Sequence, residues 1–186
     1  MKIFSLVVFV LFCSLTAYPA EYDLGIHGIL TLTPPEGWTA KGVPAIQSNG
    51  TSIGYAFAIK PDGDANAKCL LTIAYAGKGK PDPARIQQDV RQANEQFVEG
   101  SVEKRMNIQD FALKQGYGSY CTLTDASLVG KKPKQGEYKV MASGIVQLSD
   151  VVVGVVSIFA DDAGSPEFRS MLQAINSLKL ELKNSK

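Results

Sequence analysis

The sequence predicts an α+β fold in which a single antiparallel sheet is flanked by helices on both faces. Three observations support this prediction. Short apolar runs alternate with turns that contain proline and glycine, as in antiparallel strands. Two segments have helical hydrophobic spacing behind a capping residue and a proline. Residues 151–156 are apolar without alternation, which indicates a strand covered on both faces and therefore a helix over each face.

The predicted strands are bounded by turn residues. The first strand stops at Pro34, because proline cannot donate a hydrogen bond to a neighbouring strand. Residues 41–51 contain Gly42 and Pro44 and are predicted to form a loop. Residues 60–66 form a polar turn, which predicts a hairpin between the strands on either side. The predicted strands cover residues 29–33, 53–59, 69–76, 111–113, 118–123, 138–148 and 151–160.

Two amphipathic helices are predicted, each opened by a capping residue and a proline. The first begins at Asp82 and Pro83 and ends before Gly100. The second begins at Ser165 and Pro166, and a charged tail completes the chain. The apolar stripes expected to face the core consist of Ile86, Val90, Ala93 and Phe97 in the first helix and of Phe168, Met171, Leu172, Ile175 and Leu178 in the second.

Residues 1–20 have the layout of a secretory signal peptide. Lys2 precedes an apolar run over residues 3–15, and Ala17 and Ala20 offer two cleavage points. The run is too short to cross a bilayer, which takes about 20 residues. The sequence therefore predicts a periplasmic or secreted protein, with one domain over residues 21–186 and no transmembrane segment after cleavage.

The charge of the chain is close to neutral. The formal charge is +1 at pH 7, and removal of Lys2 with the signal peptide lowers it to about zero. Domains that bind nucleic acid are usually strongly basic. We therefore expect no nucleic-acid partner.

Few residues are available for redox or metal chemistry. Cys69 and Cys121 follow the signal peptide, and an oxidising compartment permits either a disulfide between them or two buried thiols. Both lie in predicted strands, which makes facing positions plausible. His27 is the single histidine, so a zinc cluster is not expected.

Residues 62–66 resemble the start of a calcium loop. Asp62, Asp64 and Asn66 place oxygen side chains at alternate positions. The glycine and the final acid that such a loop needs are replaced by Ala67 and Ile73. The sequence favours a solvated hairpin turn, and we expect neither a metal nor another cofactor.

The order of elements resembles that of the Mog1/PsbP/DcrB-like superfamily. A strand ends in Pro35-Glu36-Gly37-Trp38, a hairpin and a capped helix follow, and the final strand leads through Asp161-Asp162 into the second capped helix. Segments 116–117, 124–125 and 136–139 are similar to those of uncharacterised exported bacterial proteins. The resemblance implies a small α/β/α sandwich, which its members use mostly as a non-catalytic binding or accessory module.

An enzymatic alternative is a small periplasmic hydrolase with His27 as base for Cys69 or Ser119. Ser119 lacks the glycines two residues to either side that mark a nucleophile elbow, and Cys69 opens an apolar strand. Ordinary strand packing explains both residues. We therefore expect no catalytic residue.

The polar segment 125–137 is the candidate partner-binding loop. It carries Lys131, Lys132 and Lys134 among glycine and proline residues, and scaffolds often place recognition on such loops. We expect a non-enzymatic binding or accessory protein of the bacterial envelope, with an inhibitor or immunity role as one form of it. The expected partner is another envelope or secreted protein. The oligomeric state is left open.

Overall fold

The computed structural model describes residues 18–46, 50, 52–76 and 79–183, so most of the predicted signal peptide lies outside the described residues. The described residues are 42% strand and 21% helix, so the fold is mostly β. The strands are β1 (Ala20–Asp23), β2 (Ile29–Leu32), β3 (Trp38–Ile46), β4 (Ser52–Pro61), β5 (Lys68–Tyr75), β6 (Ile108–Asp110), β7 (Tyr117–Thr124), β8 (Val140–Gln147), β9 (Val152–Ala160) and β10 (Lys179–Glu181), and the helices are α1 (Pro83–Val98) and α2 (Pro166–Asn176).

A seven-stranded antiparallel sheet forms the centre of the molecule. Its strand order is β3-β4-β5-β9-β8-β7-β6. The two predicted hairpins, β4–β5 and β8–β9, are confirmed as antiparallel neighbours. β5 pairs with β9, for example Leu71 with Val156, and this pairing joins the two hairpins.

The main core lies on one face of this large sheet, under α2 and a second, three-stranded sheet. The small sheet has the order β1-β2-β10. From α2, Phe168, Met171 and Ile175 are buried in the same cluster as Leu71 and Ile158 of the large sheet. Each such burial stabilises the fold by about 1.5–3 kcal/mol relative to an exposed side chain. The predicted cap is confirmed, since the Ser165 hydroxyl accepts a hydrogen bond from the Phe168 N–H at 3.1 Å.

α1 packs on the opposite face, against β6, β7 and β8. The predicted Asp82 cap is confirmed by a 3.0 Å hydrogen bond from the Ala84 N–H to its carboxylate. Val90 of α1 is buried with Cys121 and Leu123 of β7 in a second, smaller core. The helix therefore covers one half of this face.

This architecture contradicts the predicted fold class of a single sheet flanked by helices on both faces. There are two sheets in the described part of the chain, and one of them shares a face of the large sheet with α2. The prediction was wrong because the strands of the small sheet are short and pair across the whole chain. Leu30 of β2 faces Leu180 of β10, and so distant a pairing leaves no local pattern in the sequence.

Two segments predicted to be irregular are strands. Most of the predicted loop 41–51 belongs to β3, where Gly42 pairs with Phe57 and Pro44 pairs with Tyr55. β3 is an edge strand, and an edge tolerates proline because one side of the strand needs no hydrogen-bond donors. The charged tail begins with β10. A third difference is that the strand predicted at 111–113 lies at β6 (Ile108–Asp110), just before Phe111.

None of the helices in the described ranges is both long and apolar enough to cross a membrane.

Candidate functional site: an uncovered face of the large sheet

One side of β9 is only partly covered where the sequence predicts a full cover. Val152, Val156 and Ile158 are buried against the main core, but Val155 on the opposite side is 50% exposed. The prediction of a strand covered on both faces is therefore wrong at this position. α1 packs on β6, β7 and β8 and leaves the neighbouring strands without a cover from the described elements.

We call this surface the open face, meaning the α1 side of β9, β5, β4 and β3. The register places Val155, Thr72, Ala56 and Val43 in one row across the four strands. Val43 is 60% exposed and Leu70 of the adjacent row is 39% exposed. The residues on the open face are Thr39, Lys41, Val43, Ala45, Gly54, Ala56, Ala58, Lys60, Lys68, Leu70, Thr72, Ala74, Val153, Val155, Ser157 and Phe159.

Two cavities lie between α1 and the open face, one near each end of the helix, and we call the strip that contains them the groove. The cavity near the start of α1 measures about 280 Å³ and is lined by Arg85, Ile145 and Val153, among others. The cavity near the end of α1 measures about 370 Å³. The second volume falls within the range of small binding pockets, about 300–1,000 Å³.

The cavity near the end of α1 has apolar and aromatic walls. Phe97 of α1 lines one side, and Met141 of β8 and Phe159 of β9 line the other. The ring centroids of Tyr138 and Phe159 are 5.4 Å apart. The Lys68 amino group lies 4.9 Å from the Tyr138 ring centroid and 5.0 Å from that of Phe159. These distances fit cation–π contacts, so this end of the groove combines apolar surface with positive charge.

A buried glutamine organises the other end of the groove. Gln147 is 2% exposed, and its amide oxygen accepts a hydrogen bond from the Arg85 guanidinium at 2.8 Å. Its amide nitrogen donates to the backbone carbonyls of Gly79 at 2.6 Å and Ser149 at 3.0 Å. A buried amide that makes three hydrogen bonds fixes the groups around it. Gln147 therefore holds Arg85 at the start of the groove.

The strands of the open face carry lysines and no acidic residue. Lys41, Lys60 and Lys68 point to this side of the sheet. None of the four strands β3, β4, β5 and β9 contains an aspartate or a glutamate. Acids lie at the border of the open face, at Asp89 and Asp125 in the walls of the two cavities and at Asp62, which accepts a hydrogen bond from Thr39.

No family model, curated protein or solved structure matches this chain. The resemblance to the Mog1/PsbP/DcrB-like superfamily thus remains a prediction from the sequence, and the helix-flanked single sheet that it implied is the part that the structure contradicts.

The sequence left open either a disulfide or two buried thiols, and in the structure Cys69 and Cys121 are free and buried. Cys69 belongs to the main core and Cys121 to the smaller core under α1, so they lie on opposite faces of the large sheet. Strands β5 and β7 are separated by β9 and β8. Three strand spacings amount to about 14 Å, twice the roughly 7 Å that a disulfide tolerates between Cα atoms.

The predicted hydrolase residues are not brought together. The His27 ring packs against the Tyr75 ring at 4.0 Å between centroids. Tyr75 and Cys69 stand at opposite ends of β5, about 20 Å apart at the rise of a strand. Burial also raises the pKa of the Cys69 thiol to about 12, which keeps it protonated and unreactive. Ser119 points to the α1 side of the sheet, away from Tyr75 and His27.

Ser119 belongs instead to a hydrogen-bond network around Asp110. Its hydroxyl donates to the Asp110 carboxylate at 2.9 Å, and the Tyr117 hydroxyl donates to the same oxygen at 2.5 Å. The Gln87 amide nitrogen lies 2.9 Å from the Tyr117 hydroxyl. The bond from Tyr117, followed by those from Ser119 and Gln87, lowers the pKa of Asp110. The network links α1 to β6 and β7 and is structural.

The lysine loop is tied to the end of the large sheet. Lys131, Lys132 and Lys134 are exposed. The Asn66 amide nitrogen donates to the backbone carbonyl of Glu137 at 2.7 Å and to the carboxylate of Asp161 at 2.9 Å. Asn66 therefore holds the loop beside the β4–β5 turn, at the end of the open face that carries Lys60 and Lys68.

The calcium-like turn is occupied by structural contacts. The Thr39 hydroxyl donates to the Asp62 carboxylate at 2.5 Å, while Asn66 holds the lysine loop. In the ranges that the structure describes, no three histidine, cysteine or acidic side chains are grouped so that they could hold a metal ion.

The open face was not predicted from the sequence. The sequence pattern assigned Ala93 and Phe97 to the buried stripe of α1, but the buried positions are Ile86, Val90 and Asn94. Phe97 is 45% exposed in the wall of the groove. Its spacing from Ile86 is that of a core position, so the sequence pattern does not distinguish it from a buried residue.

Proposed function

We propose that this chain is a non-enzymatic binding protein that recognises another protein through the open face. The observation that carries the proposal is the half-covered large sheet, whose exposed Val155, Leu70 and Val43 form an apolar surface beside α1. Contiguous exposed apolar surface on a folded domain usually marks an interaction site.

The chemistry of the groove supports binding rather than catalysis. Its walls near the end of α1 are mainly apolar and aromatic, and His27 lies on the other side of the sheet from this groove. Protein interfaces are enriched in aromatic anchors at their centre and have polar residues at the rim. Phe97 and Phe159 would be the aromatic anchors at the centre of this interface, and Lys41 and Lys60 would be polar residues at its rim.

The signal-like layout of residues 1–20 supports a site of action in the cell envelope or outside the cell. The proposed partner is therefore another envelope or secreted protein. An inhibitor or immunity role is one form that such binding takes.

The proposal predicts that Val155→Glu abolishes partner capture. A carboxylate at this position would have to be buried unpaired in the interface, which is costly. The matched control is Val102→Glu, because Val102 is also 50% exposed but lines neither cavity of the groove. The experiment captures partners from an envelope extract of the source organism with the wild type and both variants, after urea unfolding has shown equal stability.

We expect the wild type and Val102→Glu to capture the same partner and Val155→Glu to capture none. Equal capture by Val155→Glu would overturn the proposal. Glutamate at Lys131, Lys132 and Lys134 together is expected to weaken capture less than Val155→Glu, because these residues lie in a loop at the end of the sheet and exposed charges contribute little to affinity.

A further inference from the structure

We infer that the occupant of the open face is an acidic amphipathic helix of the partner, which lies beside α1 and inserts an apolar side chain between Phe97 and Phe159. This inference rests on the proposed function and specifies the chemistry of the partner. Three properties of the open face lead to it: the space beside α1, the charge of the face and the cavity at the end of the helix.

The space beside α1 has the dimensions of a second helix. α1 lies over β7 and β8, and the uncovered strands next to it are β9 and β5. Two strand spacings are about 10 Å wide, which matches the 8–10 Å between packed helices. α1 has 16 residues and is therefore about 24 Å long. A partner helix of similar length would complete the layer that α1 begins.

The charge of the open face selects an acidic partner. Lys41 and Lys68 stand beside apolar side chains, and the four strands beneath contain no acid to pair with them. Asp62, which follows β4 near Lys60, is hydrogen-bonded to Thr39. A lysine covered by a neutral or basic surface would lose hydration without gaining a counter-ion. Glutamates or aspartates along one edge of the partner helix supply that counter-ion.

The cavity at the end of α1 suits an anchor side chain. Its volume of about 370 Å³ and its walls of Phe97, Met141 and Phe159 would enclose one aromatic or large aliphatic group. Helices that bind in grooves present such anchors at i, i+3 or i+4, and i+7. Lys68, held over the Tyr138 and Phe159 rings, places positive charge next to this anchor.

The same features disfavour a second copy of the chain and a membrane surface. Two open faces packed together would bring lysines together, with no acid on the strands of either face. An apolar cavity at one end of the groove also fits a helical anchor side chain better than a planar lipid surface.

The test is a selection from a displayed library of 16-residue amphipathic helical peptides, whose polar positions are randomised among Glu, Asp, Lys, Arg, Gln and Ser. The wild-type chain is the bait, and peptides that also bind Val155→Glu are removed. The expected enriched peptides carry an excess of acids, apolar residues at i, i+3 or i+4 and i+7, and one large apolar anchor. The strongest synthetic peptide is then titrated against variants.

We expect Phe97→Ser and Lys68→Glu each to weaken this peptide about tenfold or more, as for anchor and charge positions of interfaces. Lys114→Glu, in the β6–β7 turn, is the matched control and should change its affinity less than twofold. The inference is overturned if the enriched peptides are basic or non-helical, or if no peptide binds the wild type better than Val155→Glu. It is also overturned if the peptide binds the Lys68 and Lys114 variants with equal affinity.

Two further measurements separate the inference from the proposed function. The first is self-association of the wild type, and the second is its sedimentation with vesicles of phosphatidylglycerol and phosphatidylethanolamine. If either occurs with the wild type and is abolished by Val155→Glu, the open face has another occupant and the inference is overturned. If envelope partners are lost with Val155→Glu and the peptide selection fails, the proposed function holds and only the helical, acidic identity of the partner is wrong. If capture is unaffected by Val155→Glu, both are wrong.

Discussion

Asp110 shows how single side chains connect α1 to the large sheet. Its carboxylate accepts hydrogen bonds from Tyr117 and Ser119 of β7, and Gln87 of α1 lies 3.3 Å from the same oxygen. These bonds favour the ionised form, with the bond from Tyr117 contributing most, and they lower the pKa of Asp110 in the folded chain. The sequence placed Ser119 among candidate nucleophiles, but its proton is directed to this carboxylate.

Asp110→Asn is predicted to make stability less dependent on pH. A lowered pKa in the folded state contributes stability above the usual aspartate pKa, and this contribution is lost as the pH falls through the folded pKa. The carboxylate is exposed, so solvent screening limits the effect at pH 7 to about 1 kcal/mol or less. Urea unfolding of both chains between pH 7 and pH 3 measures it.

The difference between wild type and Asp110→Asn should shrink on acidification. Asp150→Asn, in the exposed β8–β9 turn, is the control and should unfold like the wild type at pH 7. A difference that grows towards pH 3 would contradict the network described for Asp110.

At the scale of elements, the C-terminal segment is the clearest case of structure that a local pattern does not predict. Lys179–Glu181 reads as the start of a charged tail, yet it pairs with β2 and buries Leu180 in the main core. Three residues are too few for a period of two to stand out. The energy that orders them comes from contact with Leu30 and Leu32, more than 140 residues away in the sequence.

Leu180→Ala is predicted to destabilise the chain by about 2–3 kcal/mol, the lower part of the range for leucine truncation in a core. Leu180 is 2% exposed, whereas Leu182 is 63% exposed. Leu182→Ala is therefore the matched control, with an expected change below about 0.5 kcal/mol. Equal urea midpoints for the two variants would show that β10 does not contribute to the core.

β3 was missed for a different reason. Gly42 and Pro44 indicate a loop when they are read locally, but at the edge of a sheet each has a use. A side chain at Gly42 would collide with the Phe57 ring, since its Cβ would lie 2.6 Å from that ring. Pro44 removes an N–H donor from the edge and so discourages pairing with another strand. Elements with a complete local signal, such as both capped helices and both hairpins, were predicted correctly.

At the scale of the molecule, the sequence predicted the elements of the large sheet better than their cover. The apolar run at 151–156 indicates burial on both sides, and the structure shows burial on one side with Val155 exposed on the other. A sequence pattern reports how apolar a strand is, and it does not report whether the cover comes from the same chain. Under the proposed function, a partner buries the apolar surface at Val155 that the described part of this chain leaves exposed.

The measurement that tests this account most directly is site-specific photo-crosslinking in the living source organism. A photoreactive phenylalanine analogue is placed at position 155 on the open face and, in a matched chain, at position 102, both of which hold half-exposed valines. The account predicts a covalent adduct with another protein at position 155 and none at position 102. Adducts formed only at position 102, or no adduct at position 155 from a correctly folded chain, would contradict it.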